Sequence, residues 1–346
     1  MKNIPADYLK KITIDIFHAC GAPIGDAEIV ADMLVTANLM GLDSHGVIRV
    51  PQYVRDVREG VILPGAEITT LRETSTTAIV DVGWNFGQVG ALRATEVAIG
   101  KAKANGLGCV TVRRCRHIGC VGLYAQLAAE QNFVGMAMCS AATEGHWVSP
   151  WGGREGRLGT NPIAFAAPTN GNPVILDFST SMAPEGKVRL MLNRGEKLPD
   201  GWLVDNSGHP SNNPKDLYSS PKGAILPFGG SQGYKGFGLS LMVQILSSLL
   251  GEPVWRKEGV ESNANLMWFL AINISAFMPP DEFRHEMDEM IKHIKSSALA
   301  EGFSEILMPG EREFRNIEER KVKGVPVEEE TWRQIEDVAN ELSVSL

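Results

Sequence analysis

The chain has 346 residues, 44% of them apolar, and a formal net charge of −8 at pH 7. This acidic balance, without a lysine- or arginine-rich patch, argues against a nucleic-acid-binding protein, which is usually basic. No apolar run reaches the roughly 18 residues that a membrane-spanning helix needs. Residues 1–17 scatter charges among apolar positions and lack the apolar core of a signal peptide. The sequence therefore predicts a cytoplasmic protein, long enough for two or three sub-domains, with no nucleic-acid partner and no membrane segment.

Cysteine usage agrees with a reducing compartment. An odd number of cysteines and the absence of a C-x-x-C motif predict free thiols at Cys20, Cys109, Cys115, Cys120 and Cys139. Cys115, His117 and Cys120 are close enough in sequence to suggest a metal ion, but their spacing fits no zinc pattern. We therefore predict small buried apolar side chains and no metal.

The first half of the chain alternates helices and strands. Apolar spacing predicts helices over 5–19 and 24–40, and a third helix up to Gly60 in which Pro51 indicates a kink or a late start. A strand is predicted within TTAIVDV, and the pattern then continues with a helix over 90–105, a strand over 107–114, a helix over 119–131 and a strand over 133–141.

The second half adds loops between further strands and helices. The Gly-rich loop WGGREGRLGTNP precedes the strands IAFAAPT and PVILDFSTS, and the polar stretch 183–225 suggests loops with one short helix. The remaining predictions are a strand over 224–227, a helix over 237–251, a strand over 268–275, a helix over 281–297 and a C-terminal helix starting at Pro326.

This order predicts an α/β architecture with helical material at both termini. We predict a helical domain over residues 1–75, completed by helices over about 310–346, and an α/β region over 76–309 that binds cofactor and substrate.

Nucleotide motifs of the common kinds are missing. GLGCVT at 106–111 and GFGLSL at 236–241 begin like the G-x-G-x-x-G fingerprint but lack its last glycine, and the first runs into a strand. A dinucleotide site in this protein must therefore use a fold other than the Rossmann fold.

The segment GGSQG at 229–233 matches the nucleophile elbow G-x-S-x-G. The alternative function is thus a serine hydrolase with Ser231 as nucleophile, although only His285 and His293 follow it and Pro227 interrupts the approach. The glycines equally suit a close backbone approach at a helix N-terminus, where Lys235 adds a positive charge for a phosphate.

The segment D-S-H-G-V-I-R at 43–49 combines proton-transfer and anion-binding groups. His45 can exchange a proton near neutral pH, and Arg49 can hold a carboxylate through two hydrogen bonds. The pair suits a 2-hydroxy or 2-oxo acid, unless His45 only caps a helix and Arg49 is a surface charge. His117 and Asp177, each at the end of a predicted buried strand, are further candidates.

Together, GLDSHGVIRVPQYV, RHIGCVGLYAQLAA, GGREGRLGTNPIAFAAPT, ILDFSTS, GYKGFGLSLM and LMPGE resemble the malate/L-lactate dehydrogenase family over nearly the whole chain. The resemblance implies a non-Rossmann, mixed-sheet fold with packed terminal helical segments. It also implies an NAD or NADP cofactor, a small carboxylate substrate, and a homodimer with the active site near the interface.

The family's functional residues map onto named positions. His45 matches the histidine that acts as general acid/base, Ser44 and Asp177 match residues that support it, and His117 matches a second acid/base in some members. The implied substrate contacts are Arg49, Thr160 and Asn161. The implied cofactor contacts are Asp177, Phe178, Ser179, Tyr234, Lys235 and the late loop Gly310, Glu311 and Arg312.

The resemblance implies hydride transfer between nicotinamide and C2 of a small 2-hydroxy acid, or of its cyclic imino acid equivalent. It leaves the substrate open, because the segment CSAATEGHWVSP is about three residues longer than the family pattern and carries Glu144, His146 and Trp147. The choice between NAD and NADP stays open, because Lys187, Arg189 and Arg194 could bind the ribose 2′-phosphate of NADP or could be ordinary surface charges. A member that binds ligand without catalysis is the remaining alternative.

Overall fold

The computed structural model describes residues 1–142, 145–251 and 264–346. The first half contains β1 (Lys2–Ile4), α1 (Ala6–Ala19), α2 (Ile24–Leu39), α3 (Val50–Arg58), β2 (Thr69–Glu73), β3 (Thr77–Asp81), α4 (Gly87–Asn105), β4 (Leu107–Cys115), α5 (Gly122–Ala129), β5 (Phe133–Ala141) and β6 (Pro162–Ala167). The second half contains β7 (Val174–Ser179), α6 (Glu185–Arg194), β8 (Leu203–Val204), β9 (Pro210–Ser211), β10 (Ala224–Ile225), α7 (Gly233–Gln244), β11 (Asn265–Asn273), α8 (Pro280–Lys295), α9 (Glu311–Lys323), β12 (Val325–Val327) and α10 (Glu329–Glu341).

The large sheet of the described chain is mixed. Its strand order is β2-β3-β4-β11-β5-β6-β7, and only the β3–β4 pair is parallel, with α4 as its crossover. Successive residues of β5 lie on opposite faces of the sheet. Ala137 joins the core under α4 and α5, whereas Met138 packs with Val243 of α7. The predicted non-Rossmann α/β fold with a mixed sheet is confirmed.

The two ends of the chain pack together, as predicted. β1 pairs with β12, and α1, α2, α3 and α10 share one apolar core that includes Leu9, Ile16, Trp332 and Ile335. Phe86, just before α4, also enters this core. The division at residues 75 and 310 stays a prediction.

The predicted helix start at Pro326 is wrong. Pro326 lies opposite Asn3 in the two-stranded β1–β12 sheet, where the missing proline N–H is tolerated at an edge. The helix begins at Glu329, and Glu329 and Glu330 occupy its first turn. The late start predicted for α3 is correct, since Pro51 lies in its first turn.

The polar stretch 183–225 is more structured than predicted. It contains α6 and a small sheet of order β10-β8-β9 around Val188, Leu203, Leu217 and Ile225. The short strands carry little periodic signal, which explains why the sequence suggested loops. Within the described ranges, we find no helix that is both long and apolar enough to cross a membrane.

Candidate active site

The His45 segment folds as a tight turn between α2 and α3, held by a buried asparagine. The Asn38 side chain accepts from the Val47 N–H at 2.8 Å and donates to Asp43 Oδ1 at 2.7 Å. A Cβ atom on Gly46 would lie 2.1 Å from Asn38 Oδ1, so this position requires glycine. The Asn38 hydrogen bonds and the close approach at Gly46 therefore fix the backbone conformation of the turn and, with it, the orientation of His45.

The turn brings the predicted trio together. Ser44 Oγ lies 3.0 Å from His45 Nδ1, and Arg49 Nε donates to the Ser44 carbonyl at 2.9 Å. Gln52 accepts from Arg49 Nη1 at 2.9 Å. Arg49 is thus oriented by its neighbours and is not a free surface charge.

His117 arrives from the end of β4 and stacks on His45. The ring centroids are 5.8 Å apart with an interplanar angle of 18°. Tyr53 Oη lies 2.6 Å from His117 Nδ1, and Gln88 Nε2 donates to the same hydroxyl at 2.9 Å. With this amide assignment, the Tyr53 O–H is left to donate to Nδ1, which places the proton of neutral His117 on Nε2.

Sequence reasoning missed Tyr53 and Gln88. One signal was available, since Tyr53 lies four residues after Arg49, and this spacing puts two side chains on one helix face. Gln88 had no such signal, because it lies 35 positions from Tyr53 and meets it only in the folded chain.

Both histidines are neutral in the folded protein at pH 7. Burial, followed by the charge of Arg49, lowers the pKa of His45 to about 4. Burial also lowers the pKa of His117 well below its usual value, and Arg49 and His45 add to the effect. Burial raises the pKa of Tyr53 to about 12, so its proton stays available for the bond to His117.

Two cavities meet at this turn. The first, which we call the arginine cavity, has a volume of about 390 Å³. Its charged and polar lining includes Arg49, Gln52, Arg55, Asp56, Arg116, His117, Glu185 and Arg189.

The second, which we call the apolar cavity, has a volume of about 450 Å³. Its lining includes Met40, Leu42, Val121, Gly122, Ile175, Leu176, Asp177, Phe178, Ser179, Gly310, Arg312 and Glu313. Ser44, His45 and Thr160 line both cavities. His45 therefore stands where the two spaces join.

Asp177 lies in the apolar cavity, but its hydrogen bonds do not come from an imidazole. Its Oδ2 accepts from the Gly122 N–H at 2.7 Å and from Cys120 Sγ at 3.3 Å. Burial raises the pKa of the Asp177 carboxyl, although the Gly122 bond opposes that shift. The carboxylate is thus fixed at the start of α5 and faces the apolar cavity.

Other predicted residues are divided between the two spaces. Phe178, Ser179, Gly310 and Arg312 line the apolar cavity. Asn161 lines the arginine cavity, and its amide nitrogen donates to Ser240 Oγ and Gln244 Oε1, which ties it to α7.

Three predicted cofactor contacts lie outside both cavities of the single chain. Glu311 accepts from the Met308 N–H, just before its own helix, at 3.1 Å and pairs with Lys295. Tyr234 and Lys235 are exposed in the first turn of α7.

The remaining candidate residues named here lie outside the site. Ser231 lies in an exposed 3₁₀ turn and lines neither cavity, so the hydrolase alternative is not favoured. Lys187 lies over the Trp202 ring and Arg194 pairs with Glu328. Over the described residues, His, Cys, Asp and Glu side chains form no group of three able to hold a metal.

Part of the unusual 139–150 segment reaches the site. Trp147 lines the arginine cavity, with its ring 6.0 Å from that of Tyr218 and Lys222 Nζ 4.8 Å from its centroid. Glu144 lies outside the described residues.

A histidine where two cavities join, and an arginine in the wall of one of them, suit an enzyme that acts on a small anion. Residues 4–336 match the family described as malate/L-lactate dehydrogenase. A malate dehydrogenase from Pyrococcus abyssi is 39% identical, over 99% of this chain and 95% of its own. An L-sulfolactate dehydrogenase from Methanocaldococcus jannaschii is 38% identical, over 97% and 96% of the two chains.

A solved malate dehydrogenase structure from Entamoeba histolytica superposes with a TM-score of 0.94 at 29% identity, covering 100% of this chain and 99% of that one. The chain therefore belongs to the malate/L-lactate dehydrogenase family. It is an oxidoreductase acting on CH–OH groups, and its family implies a nicotinamide cofactor and a small carboxylate substrate.

Proposed function

We propose that this protein is a 2-hydroxy acid dehydrogenase in which the arginine cavity binds the substrate and the apolar cavity binds NAD or NADP. The observation that carries the proposal is the position of His45, which lines both cavities. A group there can touch the substrate oxygen on one side while the cofactor occupies the other.

The residues of the apolar cavity fit a dinucleotide. Gly310, with a φ of +94°, is the N-cap of α9, and the first N–H groups of this helix lie beside Arg312, a setting that favours a pyrophosphate. A Cβ at Gly310 would lie 3.2 Å from Ile175, so glycine allows this end of α9 to pack closely against β7. Asp177 offers a carboxylate to a ribose hydroxyl, and Leu42 and Phe178 offer apolar surface to a ring. The bound dinucleotide would accept or deliver the hydride.

The arginine cavity fits a small anion. Arg49 is held by Ser44 and Gln52 and points its charge into the cavity, which suits a substrate carboxylate. Arg116 and Arg189 add positive charge to the same wall. Gripping the carboxylate fixes the orientation of the neighbouring C2 atom relative to His45.

His45 acts as the general base in oxidation and as the general acid in reduction. When Nδ1 donates to Ser44 Oγ, Nε2 is free to take the hydroxyl proton. Before the substrate binds, burial and Arg49 disfavour the imidazolium. A substrate carboxylate paired with Arg49 removes that second cause, so anion binding raises the pKa of His45 toward neutrality. The Nε2–H of His117 serves as a hydrogen-bond donor to the substrate.

The proposed assembly is a homodimer with the active site near its interface. Its support is an apolar face on and around α7, where Tyr234, Leu241, Met242 and Leu249 are 39–49% exposed. Tyr234 and Lys235, which line neither cavity of one chain, begin this face.

The test follows NADH and NADPH oxidation at about 340 nm over a panel of 2-oxo acids and cyclic imino acids. His45→Ala should lower kcat by about 10²- to 10⁴-fold, the usual contribution of a positioned acid or base. Arg49→Ala should mainly raise KM, because it removes binding to a carboxylate that is present throughout the reaction.

His293→Ala, on the exposed side of α8, is the matched control and should leave both constants unchanged. Equal effects of His45→Ala and Arg49→Ala on kcat and KM would contradict the assigned roles. Cofactor binding without turnover of any panel member would favour the non-catalytic alternative.

A further inference from the structure

Helix α9 contacts both the apolar cavity and the turn that carries His45. Gly310 and Arg312 line the cavity at the N-terminal end of the helix. About two turns further along, Asn316 donates to the Met40 carbonyl at 3.0 Å, immediately before the His45 turn. One rigid element therefore spans the distance between the proposed pyrophosphate position and the catalytic turn.

The main contact between α9 and the turn is made by Arg320. Its guanidinium donates to Asp43 Oδ1 at 2.7 Å and to Asp43 Oδ2 at 3.2 Å, and also to the Asn38 carbonyl. A two-pronged bond between arginine and carboxylate is among the most directional polar contacts in proteins. Asp43 is the first residue of the 3₁₀ turn that ends at His45.

The Arg320 contact extends to the groups that shape the turn. Asp43 Oδ1 also accepts from Asn38 Nδ2, and Asn38 Oδ1 accepts from the Val47 N–H on the far side of His45. Arg320, Asp43 and Asn38 thus form one polar network that brackets Ser44 and His45. A shift of Arg320 changes the partners on both sides of the histidine.

Apolar packing holds α9 only loosely. None of its side chains is fully buried, and Phe314 and Ile317 supply only partial apolar contact. Helices with few buried contacts open at low free-energy cost. An anion bound at the first turn of such a helix adds a substantial part of its anchoring.

We propose that Arg320 is a positioning residue that links dinucleotide binding at the start of α9 to the ordering of the His45 turn. The proposal rests on the proposed function, since it takes the apolar cavity as the dinucleotide site. A dinucleotide that seats α9 would draw Arg320 onto Asp43 and so hold His45 in place for the substrate.

The test uses ADP-ribose, which carries the pyrophosphate but no nicotinamide to touch His45. Binding is measured by calorimetry, and amide hydrogen exchange is followed in peptides covering 40–48 and 308–316. In the wild type, we expect ADP-ribose to slow exchange in both peptides, by about tenfold if the coupling is of typical size. In Arg320→Met, the 308–316 peptide should still respond, and the 40–48 peptide should respond much less than in the wild type.

Asp43→Asn weakens the same Arg320–Asp43 contact from the other side and should behave like Arg320→Met. Arg315→Met is the matched control, because Arg315 lies on the same helix and pairs with Glu305 instead of the turn. It should keep the wild-type response in both peptides.

Slowing of the 40–48 peptide in Arg320→Met as large as in the wild type would overturn the proposal, since it would mean that the ligand acts on the turn directly. Bound ADP-ribose with no effect on the wild-type turn would also overturn it, and would leave the cofactor site standing. Failure of ADP-ribose to bind the wild type would remove both the proposed cofactor cavity and this link.

Discussion

Tyr53 shows how a single residue can orient another side chain of the site. Its hydroxyl connects Gln88 to His117, and its ring packs between Phe17 and Phe86 at centroid distances of 6.2 and 6.4 Å. Phenylalanine keeps this packing and removes only the polar link. The proton on His117 is then no longer held at Nε2.

For Tyr53→Phe, we therefore expect kcat to fall by about tenfold, the effect of a lost neutral hydrogen bond of 1–1.5 kcal/mol, with KM changed little. Steady-state kinetics with the best substrate of the panel measures both constants. Tyr8→Phe, at an exposed position on α1, is the control. A kcat equal to that of the wild type would mean that His117 needs no partner to stay oriented.

The site contacts that the sequence predicted join residues close together in the chain, whereas those that it missed join residues far apart in the chain. Ser44, His45 and Arg49 are local, so one turn explains their meeting. Tyr53 meets His117 across 64 positions, and Arg320 meets Asp43 across 277. Neither pair leaves a spacing signal, because only the tertiary packing decides it.

Among the elements, α7 carries an exposed apolar surface. Tyr234, Leu241, Met242 and Leu249 recur along one side of the helix and its continuation, and each is at least 39% exposed. A soluble monomer rarely leaves such a face open. The proposed homodimer would bury it.

At micromolar concentration, we expect analytical ultracentrifugation of the wild type to give a mass of about twice the chain mass of 37.6 kDa. Leu249→Lys should shift the species toward the monomer, because a closed two-fold interface would have to bury a charge from each copy without a partner. Met290→Lys changes a similarly exposed residue on α8 and should leave the assembly intact. A wild-type monomer, or a Leu249→Lys dimer of unchanged stability, would exclude this face as the interface.

The sequence predicted helices and strands well where the segment was long, and failed for short segments. The long helices α1, α2 and α8 were found nearly to their ends, and α1 and α8 are clearly amphipathic. β12 has three residues and contains Pro326, so its strand character comes only from pairing with β1. The family resemblance implied a loop at 310–312, but Gly310 is an N-cap with positive φ and α9 begins at Glu311.

At the scale of the whole molecule, His45 and His117 make stability depend on pH. The folded pKa of His45 is about 4, against about 6.5 in an unfolded chain. Between these values the unfolded state binds more protons than the folded state. The free energy of unfolding therefore falls as pH is lowered from 6.5 toward 4, and this contribution is constant above 6.5. His117, whose pKa is also lowered, acts in the same direction.

At pH 5, the His45 shift corresponds to a loss of about 2 kcal/mol relative to pH 7, an upper value because the ring keeps some surface on the cavities. Urea unfolding at pH 7 and pH 5, at one protein concentration, measures the difference. His45→Gln, which cannot take up a proton in either state, should lose less stability over this interval than the wild type.

His293→Gln removes an exposed histidine and should keep the full wild-type loss, since carboxyl groups and the other histidines still titrate. Equal losses for His45→Gln and His293→Gln would show that His45 is not held neutral by the fold. In that case the first reason for its low pKa, burial between two joined cavities, would fail, and substrate binding would have no shift to reverse.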